Sequence, residues 1–225
     1  MRRCLASGLL AMALACAGTG QAQERAKPER GGETLTVCFN YGCYAQADVS
    51  FSEAQLAEIK ASLRAAADAA AEREHLARAL GRLYAWAGAQ SPIAADKGGN
   101  LADEAVYGRM DCIDHSLTTT RFLKMLEARG MLRYHQVEER VLRSRFLVFQ
   151  HYAAQIVEYE VAPRAQMGEA VNNPLQAVAN DASQADVTRV TARFAVDSWF
   201  FDNGHPAVIL PLANWMSGEG PDVGW

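Results

Sequence analysis

The hydrophobic pattern of this chain changes period at Gly130, and that change constrains the fold more than any other feature. Before it, apolar residues keep helical spacing: Leu56, Ile59 and Leu63, then Leu76, Leu80 and Leu83. Ser50-Phe-Ser-Glu53 reads as a capping-box start. The stripe loses its large residues between the two sets, which predicts two helices or one with a bend by Trp86. Residues 88–108 read as a loop, and Asp111 to Arg129 as the next helix, with Asp111 as its N-cap and Gly130 as its stop. After Gly130 the pattern is strand-like: Leu132 to Val141, Phe146 to Glu160, Val187 to Phe201, and Ala207 to Leu212 beyond the turn signal Asp202-Asn-Gly204. Pro163 to Asp186 reads as a surface excursion. Helices followed by an antiparallel sheet of about four strands make an α+β fold.

The first residues stand apart from that fold. Met1-Arg-Arg3, an apolar run from Leu5 to Ala17, and Gly20-Gln-Ala22 have the layout of a secretory signal peptide over residues 1–22. The apolar run is too short for a membrane span. Residues 23–33 read as a flexible start and residues 34–225 as one domain. The expected location is the periplasm, with a soluble exported chain. Leu14-Ala-Cys16 loosely resembles a lipoprotein box, and lipidation of Cys16 is the one route to a membrane. The 22 basic and 26 acidic side chains give a net charge of −4. Losing Arg2 and Arg3 makes the chain more acidic, which argues against nucleic acid as a partner.

Export also sharpens the cysteine count. Of five cysteines, Cys4 and Cys16 leave with the signal, so Cys38, Cys43 and Cys112 remain. An odd number in an oxidising compartment leaves a thiol over. Cys38 and Cys43 flank Phe-Asn-Tyr-Gly, a turn-like stretch that favours a disulfide between them. The leftover thiol is then Cys112, at the start of a helix, where free amides and the dipole favour the thiolate. A thiol nucleophile needs a base, and the base needs an orienting group. His151 lies near the start of one predicted strand and Asp197 near the end of the next. If these strands pair antiparallel, the two side chains meet at one edge of the sheet. His115, three residues after Cys112, competes as the base. His75 and His135 read as exposed, and His205 as a turn residue. A metal site built from Cys112, His115, His151 and Asp197 is the weakest expectation, because Cys112-x-x-His115 is its one close-spaced pair, and no cofactor is expected.

The order Cys, His, Asp, on a helix and then two strands, resembles the transglutaminase-like superfamily of papain-like thiol enzymes, and looks closest to the bacterial transglutaminase-like cysteine peptidases. Asp111-Cys112-x-Asp114, His151-Tyr-Ala-Ala and Val196-Asp197 are the matching motifs, within residues 108–212. The glycine usually close before the cysteine is displaced to Gly108, and the gap from His151 to Asp197 is long. The resemblance implies a hydrolase or acyltransferase acting on peptide or protein amides through a thioester on Cys112. Its oxyanion would be held by the Cys112 amide and one upstream donor, Gln90 or Asn100. A catalytically silent peptide-binding domain on the same scaffold is the competing expectation.

Overall fold

The computed structural model describes residues 32–99, 103, 105–145, 149–161 and 188–221. The expected signal peptide, most of residues 23–33, Asn100 and the expected 163–186 excursion lie outside the described residues.

The described chain begins with strands, not with helices. β1 (Glu33–Phe39) and β2 (Ala45–Phe51) form an antiparallel hairpin. β2 alternates strictly, but only Val49 and Phe51 are buried and the other inward residues are the small Ala45 and Ala47. The chain turns back through Asn40, Tyr41, Gly42 and Cys43, all with left-handed φ of 61–64°. Such a run costs on the order of 1 kcal/mol per non-glycine residue, so other contacts must impose it. One is the expected Cys38–Cys43 disulfide, which closes the tip. Among the described cysteines, Cys112 is the free one.

The two helices that follow are α1 (Glu53–Arg64) and α2 (Ala69–Gly88). The first starts two residues later than expected. Ser52, not Ser50, is the N-cap, and Gln55 completes the capping box. Ser50 instead belongs to β2, where its backbone pairs with Thr34. A short 3₁₀ turn (Pro92–Ala95) leads to α3 (Cys112–Ala128). There Asp111 is the N-cap and Asp114 closes the box, and Gly130 adopts a φ of +62° just past the helix.

The second half is a four-stranded antiparallel sheet in the order β3 (His135–Arg145), β4 (Phe149–Val161), β5 (Thr188–Asp197), β6 (Val208–Pro211). A five-residue helix, α4 (Leu212–Met216), follows at once. Alternation along the strands separates two layers. Ala154, Ile156, Phe194 and Val196 join the main core with the helices and the hairpin. Ala153 and Ala195 pack on Trp215 of α4. Among the described residues no helix is long and apolar enough to cross a membrane.

The disulfide gives a direct test. Intact mass before and after reduction with alkylation should show one disulfide and one free thiol in the chain cut after Ala22. Replacing Cys38 and Cys43 together by Ser should lower stability in urea by about 2 kcal/mol, the chain-entropy value for so short a loop. Three free thiols would refute the pairing.

Candidate active site

The sheet register brings two of the singled-out residues together. Ala154 pairs with Val196. One residue further, Ala153 faces Asp197, and His151 is the next residue along β4 on that same face. The imidazole Nε2 lies 2.6 Å from Asp197 Oδ2. Beyond Asp197 the chain leaves the sheet, so His151 has no β5 partner at its level. Cys112, the first residue of α3, has its sulfur 3.9 Å from the carbonyl of Gln150, the residue before His151. With Nε2 turned to Asp197, Nδ1 is the ring nitrogen left for a second partner.

Asp197 is 1 % exposed in its side chain. Its Oδ2 also accepts the Trp215 indole N–H at 2.9 Å, and its Oδ1 accepts the Trp199 amide at 3.2 Å. Burial works to raise this carboxyl, but the hydrogen bond and charge of His151 and the two N–H donors hold it below the ordinary carboxylate value. Burial likewise works to lower His151. Hydrogen bonds to Asp197 and Cys112, with the charges of both, prevail and raise it to about 9. Trp199, Phe200 and Trp215 surround the ring at centroid distances of 5.0–6.0 Å. They keep water from the bond between His151 and Asp197.

The start of α3 is held by the hairpin tip. Asp111 Oδ1 accepts the amides of Ile113 and Asp114, while its Oδ2 accepts that of Gly42 at 2.9 Å. Asp114 is fully buried and accepts the amides of Asp111 and, at 2.6 Å, Cys43. Burial, and then the charge of Asp111, raise Asp114 to about 6. Further out, Asn40 donates its amide to the Arg109 carbonyl and accepts the Gly108 amide on its side chain. Gly108 has a φ of +95°, and a Cβ there would lie 2.1 Å from the Pro92 carbonyl oxygen. The displaced glycine is thus required where it stands.

No family model, no curated protein and no solved structure matches this chain. The case for chemistry at this site therefore rests on its own geometry.

That geometry separates the remaining candidates. His115 is buried, with Nε2 2.9 Å from Asp96 Oδ2 and Nδ1 2.9 Å from Ser198 Oγ. Both ring nitrogens are engaged, so it is not the base for Cys112. Gln90 donates Nε2 to the carbonyls of Ser50 and Trp86 and accepts the Ser50 amide. It ties β2 to the end of α2 and has no N–H left for an oxyanion. Asn100 lies outside the described residues. His135 is not exposed but 1 % accessible, because its Nδ1 meets Glu72 inside the fold. His75 is half-buried against Ser62, and His205 sits in its turn against the Asp202 carbonyl.

Trp215, Ser198 and Asp96 escaped the sequence reading. Trp215 lies in α4, four residues past the end of β6, where its indole covers the sheet's second face.

Proposed function

We propose that the protein is an exported thiol enzyme that acts on peptide or protein amides through a Cys112 thioester. The observation that carries this is the His151–Asp197 pair at 2.6 Å, on the strand whose Gln150 carbonyl lies 3.9 Å from the Cys112 sulfur. His151 takes the thiol proton and Cys112 attacks the carbonyl carbon. The imidazolium then returns the proton to the leaving amine. Asp197 keeps the Nε2–H directed at itself, so Nδ1 serves the sulfur. Water resolves the thioester to an acid, or an amine resolves it to a new amide. The Cys112 amide, at the positive end of α3, is one donor for the oxyanion. The order of residues and their placement support kinship with the transglutaminase-like enzymes. The disulfide supports an oxidising compartment such as the periplasm.

Alkylation tests the reading. Cys112 should react with iodoacetamide at pH 6 at least about ten times faster than a free model thiol, because an imidazole beside it accepts the thiol proton. His151→Ala should remove that excess. Turnover should fall as pH rises through about 9, where His151 loses the proton that the leaving amine requires. Ordinary thiol reactivity in the wild type would instead support a silent binding domain. Stoichiometric zinc in the purified protein would replace both readings with a metal site.

A further inference from the structure

We propose that His115 is a positioning residue: its imidazole links the helix that carries Cys112 to the turn that carries Asp197, and so sets the spacing of the two halves of the site. The proposal rests on the thiol chemistry proposed above.

Cys112 and Asp197 belong to elements that nothing in the sheet register ties together. Cys112 begins α3, and Asp197 ends β5. His115 lies one helical turn after Cys112, and Ser198 is the residue next to Asp197. The bond of 2.9 Å between His115 Nδ1 and Ser198 Oγ therefore joins the next turn of the Cys112 helix to the residue adjoining Asp197. The other ring nitrogen holds Asp96 Oδ2 at 2.9 Å, and Asp96 Oδ1 accepts the amide of Met110, two residues before Cys112, at 2.8 Å. The imidazole is thus anchored on both sides of the nucleophile.

Further bonds converge on the same turn. Ser198 Oγ lies 2.8 Å from Thr119 Oγ1, one turn farther along α3, and 3.2 Å from the Tyr84 hydroxyl. Tyr84 also meets Thr119 at 2.9 Å and donates to the His115 carbonyl at 3.2 Å. On the Asp96 side, the Gly99 amide donates to the Trp199 carbonyl at 2.8 Å. His115 and Asp96 are 3 % and 1 % exposed in their side chains.

Burying such a group costs desolvation that apolar side chains of the same volume would not incur. Apolar contacts are not directional and tolerate sliding. Hydrogen bonds of defined length do not, and a misplacement of about 1 Å at a reacting centre can cost on the order of 100-fold in rate. A polar bridge at this place defines the approach of sulfur to imidazole, which packing alone would leave loose.

The test compares wild type, His115→Phe and His115→Gln by iodoacetamide alkylation across pH 5–10, with thermal melts in parallel. Phe fills the space and makes neither bond, whereas Gln has both a donor and an acceptor. His115→Phe should fold, lose at least about tenfold of the pH 6 alkylation excess, and move the profile toward that of a free thiol. His115→Gln should recover most of the excess. If His115→Phe does not fold, Ser198→Ala removes the link with a smaller change and should shift the profile in the same direction. A variant that melts earlier but keeps the wild-type profile has lost stability alone, and that result overturns the positioning role. Absence of any excess in the wild type overturns the thiol-enzyme reading, and this inference with it.

Discussion

Asp197→Asn is expected to lower turnover by about 10³- to 10⁴-fold while the chain still folds. All three partners of Asp197 are donors: the His151 ring N–H, the Trp215 indole and the Trp199 amide. A carboxylate suits all three, whereas an amide has one oxygen and one NH₂. If the NH₂ takes the place of Oδ2, it confronts His151 and Trp215. If it takes the place of Oδ1, it confronts the Trp199 amide. The His151 clash is relieved when the ring moves its proton to Nδ1, which then points a hydrogen at the sulfur and removes the base. The variant should also lose about 1–3 kcal/mol of stability from the donor left unpaired. Turnover and pH 6 alkylation measure the first effect, and urea unfolding the second. Wild-type rates in Asp197→Asn would show that the carboxylate does not orient the base.

Glu72→Ala should have the largest effect on stability, about 3–5 kcal/mol, with little direct bearing on the chemistry. Glu72 is fully buried in the first turn of α2. Its carboxylate accepts the amides of Arg133 and Tyr134 at 2.8 and 3.0 Å, and meets His135 Nδ1 at 2.9 Å. Alanine leaves those donors buried with no acceptor from this carboxylate. Burial works to raise the Glu72 carboxyl, but the bond to His135, the two amides and the His135 charge bring it below the ordinary 4.5. A depressed carboxyl contributes stability that is complete above the unfolded value and is lost as pH falls through the folded one. The gap between wild type and variant in urea should therefore be full at pH 7 and narrow below about pH 4.5. A gap under about 1 kcal/mol at pH 7 would show that the cluster is not a structural anchor.

The parts of the molecule legible in the sequence obey local rules. Asp111 and Gly130 frame α3 because capping chemistry is local. Val196-Asp197 and His151-Tyr-Ala-Ala lie on paired strands because alternation and order determine the pairing. What was missed depends on long-range partners. Glu72 and His135 look like solvated residues on a helix and a strand, and only their meeting inside the fold makes them core. Gln90 looks like a free amide until Ser50 and Trp86 engage it. The hairpin stayed hidden because its turn uses left-handed Asn40, Tyr41 and Cys43 rather than a recognisable two-residue signal, and because the alternation of β2 starts on the small Ala45 and Ala47. Ser50 was misplaced for the same reason, since a serine near a helix start also suits the end of a strand.

The clasp of the hairpin tip on α3 bears on how the chain can be divided. Cysteine, histidine and aspartate all fall within residues 108–212, so that segment reads as a self-sufficient unit. Yet Gly42 and Cys43, some 70 residues before the nucleophile, supply amides to the two carboxylates that begin its helix. A fragment starting at Gly108 would expose those carboxylates side by side, without the backbone that balances their charge. The site belongs to the whole fold, and an insertion or deletion between Cys38 and Cys43 would be felt at a sulfur distant in the chain.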